Sequence, residues 1–226
     1  MHDSKERYDT PKCHNDTRKA VIKDITSWAL DDSKDTLILW ITAPAGSGKS
    51  AILQTIAELF QNSGELTASF FFSRTAAQRQ TEAHLIATIA AQLAVSIPPI
   101  RPFINQAVLD DPSIFDKTLH VQMNRLVVQP LIRASLQAGR SSPWPSLLII
   151  DGLDECNGRK VQADILRMLS NALLQLKQSL PSLFLLIASR PEPAICEVFE
   201  DNLNEMTYHL VLDDSYDPDR DIATFL

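Results

Sequence analysis

The sequence predicts an α/β fold in which a mainly parallel sheet of five strands is wrapped by helices. Continuous apolar runs, Leu37 to Thr42, Leu147 to Ile150 and Leu183 to Ala188, have the length and evenness of strands covered on both faces. Stretches of helical periodicity separate them, which is the alternation of a parallel sheet with crossover helices. Polar turns rich in Gly, Ser, Asp and Arg follow these strands directly, where an open sheet of this kind takes its ligand.

Met1 to about Pro11 reads as a polar, mobile lead-in. From Thr17 to Trp28, Val21, Ile22, Ile25 and Trp28 recur at helical spacing, and Asp31-Asp32-Ser33 breaks the helix. After the first strand a helix runs from Lys49 to about Asn62 and ends at Ser63-Gly64. Ala68 to Phe72 reads as the second strand. Glu82 to Val95 is a helix stopped by Pro98-Pro99, and Ile100 to Leu109 is another, closed by Asp110-Asp111-Pro112. A longer helix, Leu119 to Gln137, carries Pro130 as a kink or break. Gly139 to Pro145 is a loop before the third strand. Val161 to Gln178 is helical, Leu183 to Ala188 is the fourth strand, and a short helix over Ile195 to Phe199 leads to the fifth, Tyr208 to Leu212. Asp219-Arg220-Asp221-Ile222 begins a further helix.

The 226 residues suit one large domain, and a 45% hydrophobic content supports a real core. The net charge of -7 disfavours nucleic acid as the main partner, because an acidic surface repels a phosphate backbone. It does not exclude a nucleotide, whose binding is decided by the local field of a turn. The polar N-terminus lacks the apolar stretch of a secretory signal, and no run is long enough to span a bilayer. Cys13, Cys156 and Cys196 show no metal or disulfide spacing and read as reduced thiols of a cytoplasmic protein.

The strongest motif is Ala43-Pro44-Ala45-Gly46-Ser47-Gly48-Lys49-Ser50, between a strand and a helix. Backbone N–H groups of such a turn and of the helix start converge on one point, and the helix dipole adds positive potential there. Lys49 supplies a mobile charge for outer phosphates and Ser50 a hydroxyl for Mg²⁺. The usual pattern has glycine where Ala43 stands, and alanine's reluctance to take positive φ predicts a slightly opened turn. Without a ligand, the same stretch is simply a strand-to-helix turn.

The run Asp151-Gly152-Leu153-Asp154-Glu155 puts three carboxylates after the third strand. Asp151 is placed to hold Mg²⁺ through a water. Hydrolysis needs a group that orients water beside the last phosphate; Glu155 is the first choice and Asp154 the second. Arg190, after the fourth strand, can grip a terminal phosphate, and Arg74, after the second, is a similar candidate. Other features have plainer readings. Phe70-Phe71-Phe72 is core strand rather than a stacking platform. His84 is a packed or surface histidine. The carboxylates near Cys156 raise its pKa rather than activate it. The Asp213-Asp214 and Asp217-Pro218-Asp219 cluster is a solvated turn with a helix cap.

Taken in order, several stretches resemble the NACHT domain of fungal NLR-like proteins, within the STAND class of P-loop NTPases. They are Asp16-Thr17-Arg18 before the helix with Trp28, Pro44 to Ser50, Ala68 to Arg74, Leu85 to Leu93, Asp111-Pro112-Ser113-Ile114, Asp151 to Cys156, and Ser189-Arg190-Pro191-Glu192-Pro193. The module is also similar to the N-terminal part of nephrocystin-3. The resemblance implies a three-layer P-loop NTPase fold of ASCE type, with the fourth strand between the two motif strands. It divides the chain into a lead-in, 1–16, and a NACHT-type domain, 17–226, that stops before the family's helical and winged-helix segments, as a fragment would. It implies ATP or ADP as ligand (GTP is possible) with Mg²⁺. Pro44, Ala45, Gly46, Ser47, Gly48, Lys49 and Ser50 then hold phosphates, Ser50 and Asp151 the metal, Glu155 the attacking water, and Arg190 senses the terminal phosphate. Thr17 and Arg18 fall near the base.

Such modules act as nucleotide switches in signal transduction, nonself recognition and regulated cell death, and they self-associate when opened. The expected activity is Mg-dependent ATP binding with slow hydrolysis. A binding or assembly scaffold without turnover is the alternative, and a small-molecule kinase a more distant one.

Overall fold

The computed structural model describes residues 2, 12–13, 17–138, 144–180, 182–213 and 216. Its sheet has the strands β1 (Ile38–Thr42), β2 (Leu66–Phe71), β3 (Leu147–Asp151), β4 (Phe184–Ser189) and β5 (Thr207–Val211). Their spatial order is β2-β3-β4-β1-β5, and all pairs are parallel. Thus β4 is inserted between β1 and β3, as the resemblance implies. The register aligns Thr42 with Ser189 and Asp151 with Ala188, so the carboxyl ends of β1, β3 and β4 emerge side by side.

The helices are α1 (Lys19–Ala29), α2 (Lys49–Ser63), α3 (Leu85–Ser96), α4 (Arg101–Asp110), α5 (Leu119–Met123), α6 (Gln129–Ala138), α7 (Arg159–Leu176) and α8 (Pro193–Val198). They complete a three-layer arrangement about the sheet. The central strands are buried along their whole length, which is why β1, β3 and β4 lack an alternating polar face. The Phe triplet is core: Phe70, Phe71 and Phe72 are all buried.

The two sheet edges are built differently. β2 lies under α3, and Gln92 of that helix takes its outer backbone: Oε1 accepts from Ser69 N at 3.0 Å and Nε2 donates to Ser69 O at 2.9 Å. Ser96 Oγ donates to Thr67 O at 2.8 Å, so side chains complete an edge that pairing leaves open. On the other edge, β5 is partly exposed. It is secured from inside, where Trp40 lies between Phe199 and His209, with centroids 4.0 and 4.3 Å away, and donates from Nε1 to Ser189 Oγ.

Several elements differ from the sequence reading. β2 starts two residues early, at Leu66. The helix expected over Glu82 to Val95 opens with a 3₁₀ turn at Glu82–His84, and His84 is exposed. Pro130 does not break its helix. A π turn at Asn124–Val128 joins α5 to α6 and widens the spiral where proline lacks an N–H and crowds the preceding turn. A second π turn, Phe199–Leu203, continues α8. The lead-in is also attached where it is described: His2 is buried, its N donates to Ser69 Oγ at 3.0 Å, and its O accepts from Gln54 Nε2 at 3.1 Å. Most of the loop 139–145, Asp214, and the helix expected from Asp219 lie outside the described residues.

No single helix among the described residues is long and apolar enough to cross a membrane. The apolar pair Glu82–Ser96 and Pro98–Asp110 is bent by 118°, and Leu85, Ile86, Ile89, Ala90 and Leu93 pack into the core.

Candidate functional site

The turn between β1 and α2 is shaped by glycine. Gly46 and Gly48 take φ 79° and 86°, and a Cβ on either would meet nothing within 4 Å. Conformation, not crowding, therefore demands glycine here, and the space beside the turn is open. Ala43 behaves otherwise. It is buried, and Arg18 is the one non-glycine residue at positive φ among those described. The expected strain at Ala43 is absent because that position needs no left-handed backbone.

Lys49 folds back over this turn. Its Nζ donates to Ala43 O at 2.7 Å, Pro44 O at 2.9 Å and Ser47 Oγ at 3.3 Å. Burial pulls the Lys49 ammonium below the usual lysine range; Asp154, Asp151 and Glu155 act in the opposite sense, and Arg190 adds to the lowering. The acidic run and Arg190 lie beside Lys49. They share with it a cleft of about 270 Å³, lined by the turn from Ala45 to Ala51 and by Asp151, Gly152, Asp154, Glu155 and Arg190.

Asp151 is 3% exposed at the end of β3, facing the same cleft as the exposed Ser50. Glu155 is half-buried, and its Oε2 accepts the backbone N–H of Arg74 at 3.1 Å. Asp154 is nearly buried and turned toward the arginines. Its Oδ1 accepts Arg190 N at 2.9 Å, and its Oδ2 lies 3.3 Å from Arg190 Nε.

Three residues named from the sequence stand beside the cleft rather than in its lining. Arg74 donates from a terminal nitrogen to Asp154 O at 3.2 Å, behind the acidic turn. Arg18, at φ 58° before α1, donates to Ser47 O at 3.1 Å and so braces the glycine turn from outside. Pro44 likewise contributes its carbonyl to Lys49 without lining the cleft. Sequence reasoning missed the clasp from the segment after β2: Phe72 N donates to Asp151 O and Asn157 N to Gln80 O.

Burial pushes the Cys156 thiol up to about 12, with Glu82 adding to the effect. The direction is the expected one, but the cause is burial and a residue of the segment before α3, not the neighbouring carboxylates.

Could these residues hold a metal–triphosphate? Among the described residues no cluster of three or more His, Cys, Asp or Glu is placed to hold a metal ion. A Mg²⁺ site of another kind fits. One carboxylate and one hydroxyl, Asp151 and Ser50, offer hard oxygens in a cleft whose other wall is the glycine turn. The two positive-φ glycines with open space in front of them form a cradle of the right kind.

A three-layer α/β protein with a polar cleft at the carboxyl ends of parallel strands has the topology of a nucleotide-binding fold. The sequence gives the family: the pattern of the nephrocystin 3, N-terminal family matches residues 16–190, and the chain belongs to that family. The match runs from before α1 through β4 and takes in the glycine turn, the acidic turn and Arg190. Among curated proteins none matches the chain.

Proposed function

We propose that this chain is a NACHT-type P-loop NTPase core of the STAND class that binds Mg-ATP, with Mg-GTP as the weaker option, and hydrolyses it slowly. The carrying observation is that Lys49, Ser50, Asp151, Glu155 and Arg190, from three separate strand ends, line one cleft. The amides of Gly46 to Ser50 and the Lys49 ammonium receive the phosphates. Ser50 and Asp151 would hold Mg²⁺, which when bound neutralises phosphate charge. Glu155 orients water, and Arg190 reads the terminal phosphate. In this reading Lys49 exchanges its bonds to Ala43 O and Pro44 O for phosphate oxygens. The proposed role is a nucleotide switch within a signalling protein, with self-association as its output.

One observation favours a second reading, binding without meaningful turnover. Glu155 is already engaged by the Arg74 N–H, and a carboxylate held there is restrained from reaching water. A single comparison separates the two. Mg-ATP affinity and phosphate release are measured for the wild type, Lys49→Ala and Glu155→Gln. The NTPase reading expects Lys49→Ala to lose binding, and Glu155→Gln to bind but not release phosphate. Wild-type binding with no phosphate release supports the second reading. A wild type that ignores both Mg-nucleotides overturns both.

A further inference from the structure

Asp154 is a carboxylate for which the hydrolytic scheme has no use. It is 6% exposed, and an ionised group so placed is costly unless opposite charge and hydrogen bonds meet it. The residue after β4 supplies both. Arg190 donates its backbone N–H to Oδ1 at 2.9 Å, and its Nε lies 3.3 Å from Oδ2. From the other side, a terminal nitrogen of Arg74 donates to Asp154 O at 3.2 Å and lies 3.8 Å from Oδ2. Gln162 Nε2 adds a second donor to the same carbonyl at 3.3 Å. The turn after β3 is thus fastened to the ends of both flanking strands through one residue.

The way Arg190 is held matters. Its Nε faces the Asp154 carboxylate as an ion pair rather than a hydrogen bond, while its side chain remains 38% exposed and lines the cleft. A guanidinium steered by a carboxylate beside its Nε still presents its terminal nitrogens to a second acceptor, which an ammonium cannot do with the same geometry. We propose that Asp154 is a positioning residue: it aims Arg190 at the terminal phosphate and so sets the discrimination of triphosphate from diphosphate. This rests on the nucleotide reading of the cleft. It gives Asp154 an orienting task in place of the water-activating one named as second choice from the sequence.

The test is a double-mutant cycle on the full chain, with calorimetric affinities for Mg-ATP and Mg-ADP as the readout. Arg190→Ala lowers the ratio of ATP to ADP affinity by about tenfold, the scale of one charge-assisted hydrogen bond. Asp154→Asn lowers the ratio comparably, and the double variant loses no more than either single one. A merely structural Asp154 would weaken both nucleotides alike and leave the ratio unmoved; that result overturns the proposal, as does multiplication of the two losses in the double variant. Wild-type protein that binds neither nucleotide overturns the cleft's reading first and the proposal with it. For the case in which Asp154→Asn does not fold, arginine side-chain NMR of the wild type is independent of it. The Arg190 Nε–H resonance, assigned with Arg190→Lys, is displaced from the free-arginine position before nucleotide is added, as a neighbouring carboxylate requires. A resonance at the free-arginine position overturns the proposal.

Discussion

The two turns that face each other across the cleft are held in opposite ways. The turn after β1 keeps its own shape: Gly46 and Gly48 set its path, Lys49 bonds to its carbonyls, and Arg18 adds one brace from outside. Pro44, Ala45, Gly46, Gly48 and Ser50 are exposed. The turn after β3 is buried and shaped by its neighbours. Phe72 and Arg74 hold it from the β2 side, and Gly152 N donates to Ala188 O on the β4 side. The turn proposed to accept phosphate is thus built from backbone conformation, which survives exposure. A group that must hold carboxylates close together is built from packing and crossed hydrogen bonds, which oppose their mutual repulsion. Substitutions should therefore act locally in the first turn and spread to neighbours in the second.

The largest effect is expected at Glu155. Glu155→Gln keeps an oxygen to accept the Arg74 N–H, so the turn retains its clasp, while the charge proposed to orient water is lost. Phosphate release should fall by about 100-fold or more, with Mg-ATP affinity nearly unchanged. An equal loss in affinity would mean that the clasp, not the chemistry, was broken.

Lys49→Ala comes next and tests the other turn. Its bonds go to the exposed Pro44 and half-buried Ser47, which water can satisfy, and to the carbonyl of the buried Ala43, so thermal stability should fall only slightly. Mg-ATP affinity should fall by roughly 10- to 100-fold, the scale of a charge-assisted contact. A drop in melting temperature comparable to the loss in affinity would place Lys49 among the groups that hold the fold.

Much of this contrast was legible in the sequence, and unevenly so. The glycine turn is a local object: its conformation follows from Gly46, Gly48 and the strand and helix around them, so its spacing can be read directly. The buried strands were equally plain, because β1, β3 and β4 have no polar face to disguise them. The clasp on the acidic turn was not readable. Arg74 and Asp154, or Gln80 and Asn157, lie far apart in the chain and meet only because β2 and β3 pair. Gln92 did carry a signal, as a polar residue within the apolar run of α3, yet its target, the open edge of β2, is known only once the strand order is known. The π turn before Pro130 was invisible for a related reason: proline states that the spiral must change, not how.

Gly48→Ala sharpens the comparison from the stability side. At φ 86° alanine is strained, although nothing stands where its Cβ would go. The cost should be about 1–2 kcal/mol, seen as a melting temperature lowered by roughly 2–8 °C in a domain of this size. Because the turn is self-contained, the labelling of Cys156 should be unaffected by the change.

The smallest effect probes how tightly the acidic turn is held. Cys156 ends that turn, is buried, and has its thiol pushed up to about 12, chiefly by burial and then by Glu82. The thiolate is the reactive form, so labelling by a disulfide reagent at pH 8 should be slow and should climb about tenfold per pH unit between pH 7 and 9. Arg74→Ala removes the side-chain bond to Asp154 O and leaves the backbone bond to Glu155 in place. The turn should open more often without unfolding, and labelling of Cys156 should rise about two- to fivefold, with Cys13 and Cys196 as internal controls. The half-buried Cys196 lies on α8, away from the clasp, so its rate should stay constant. If Cys196 accelerates in step with Cys156, the variant has loosened the whole domain. The acidic turn would then be held by the core at large rather than by the segment after β2.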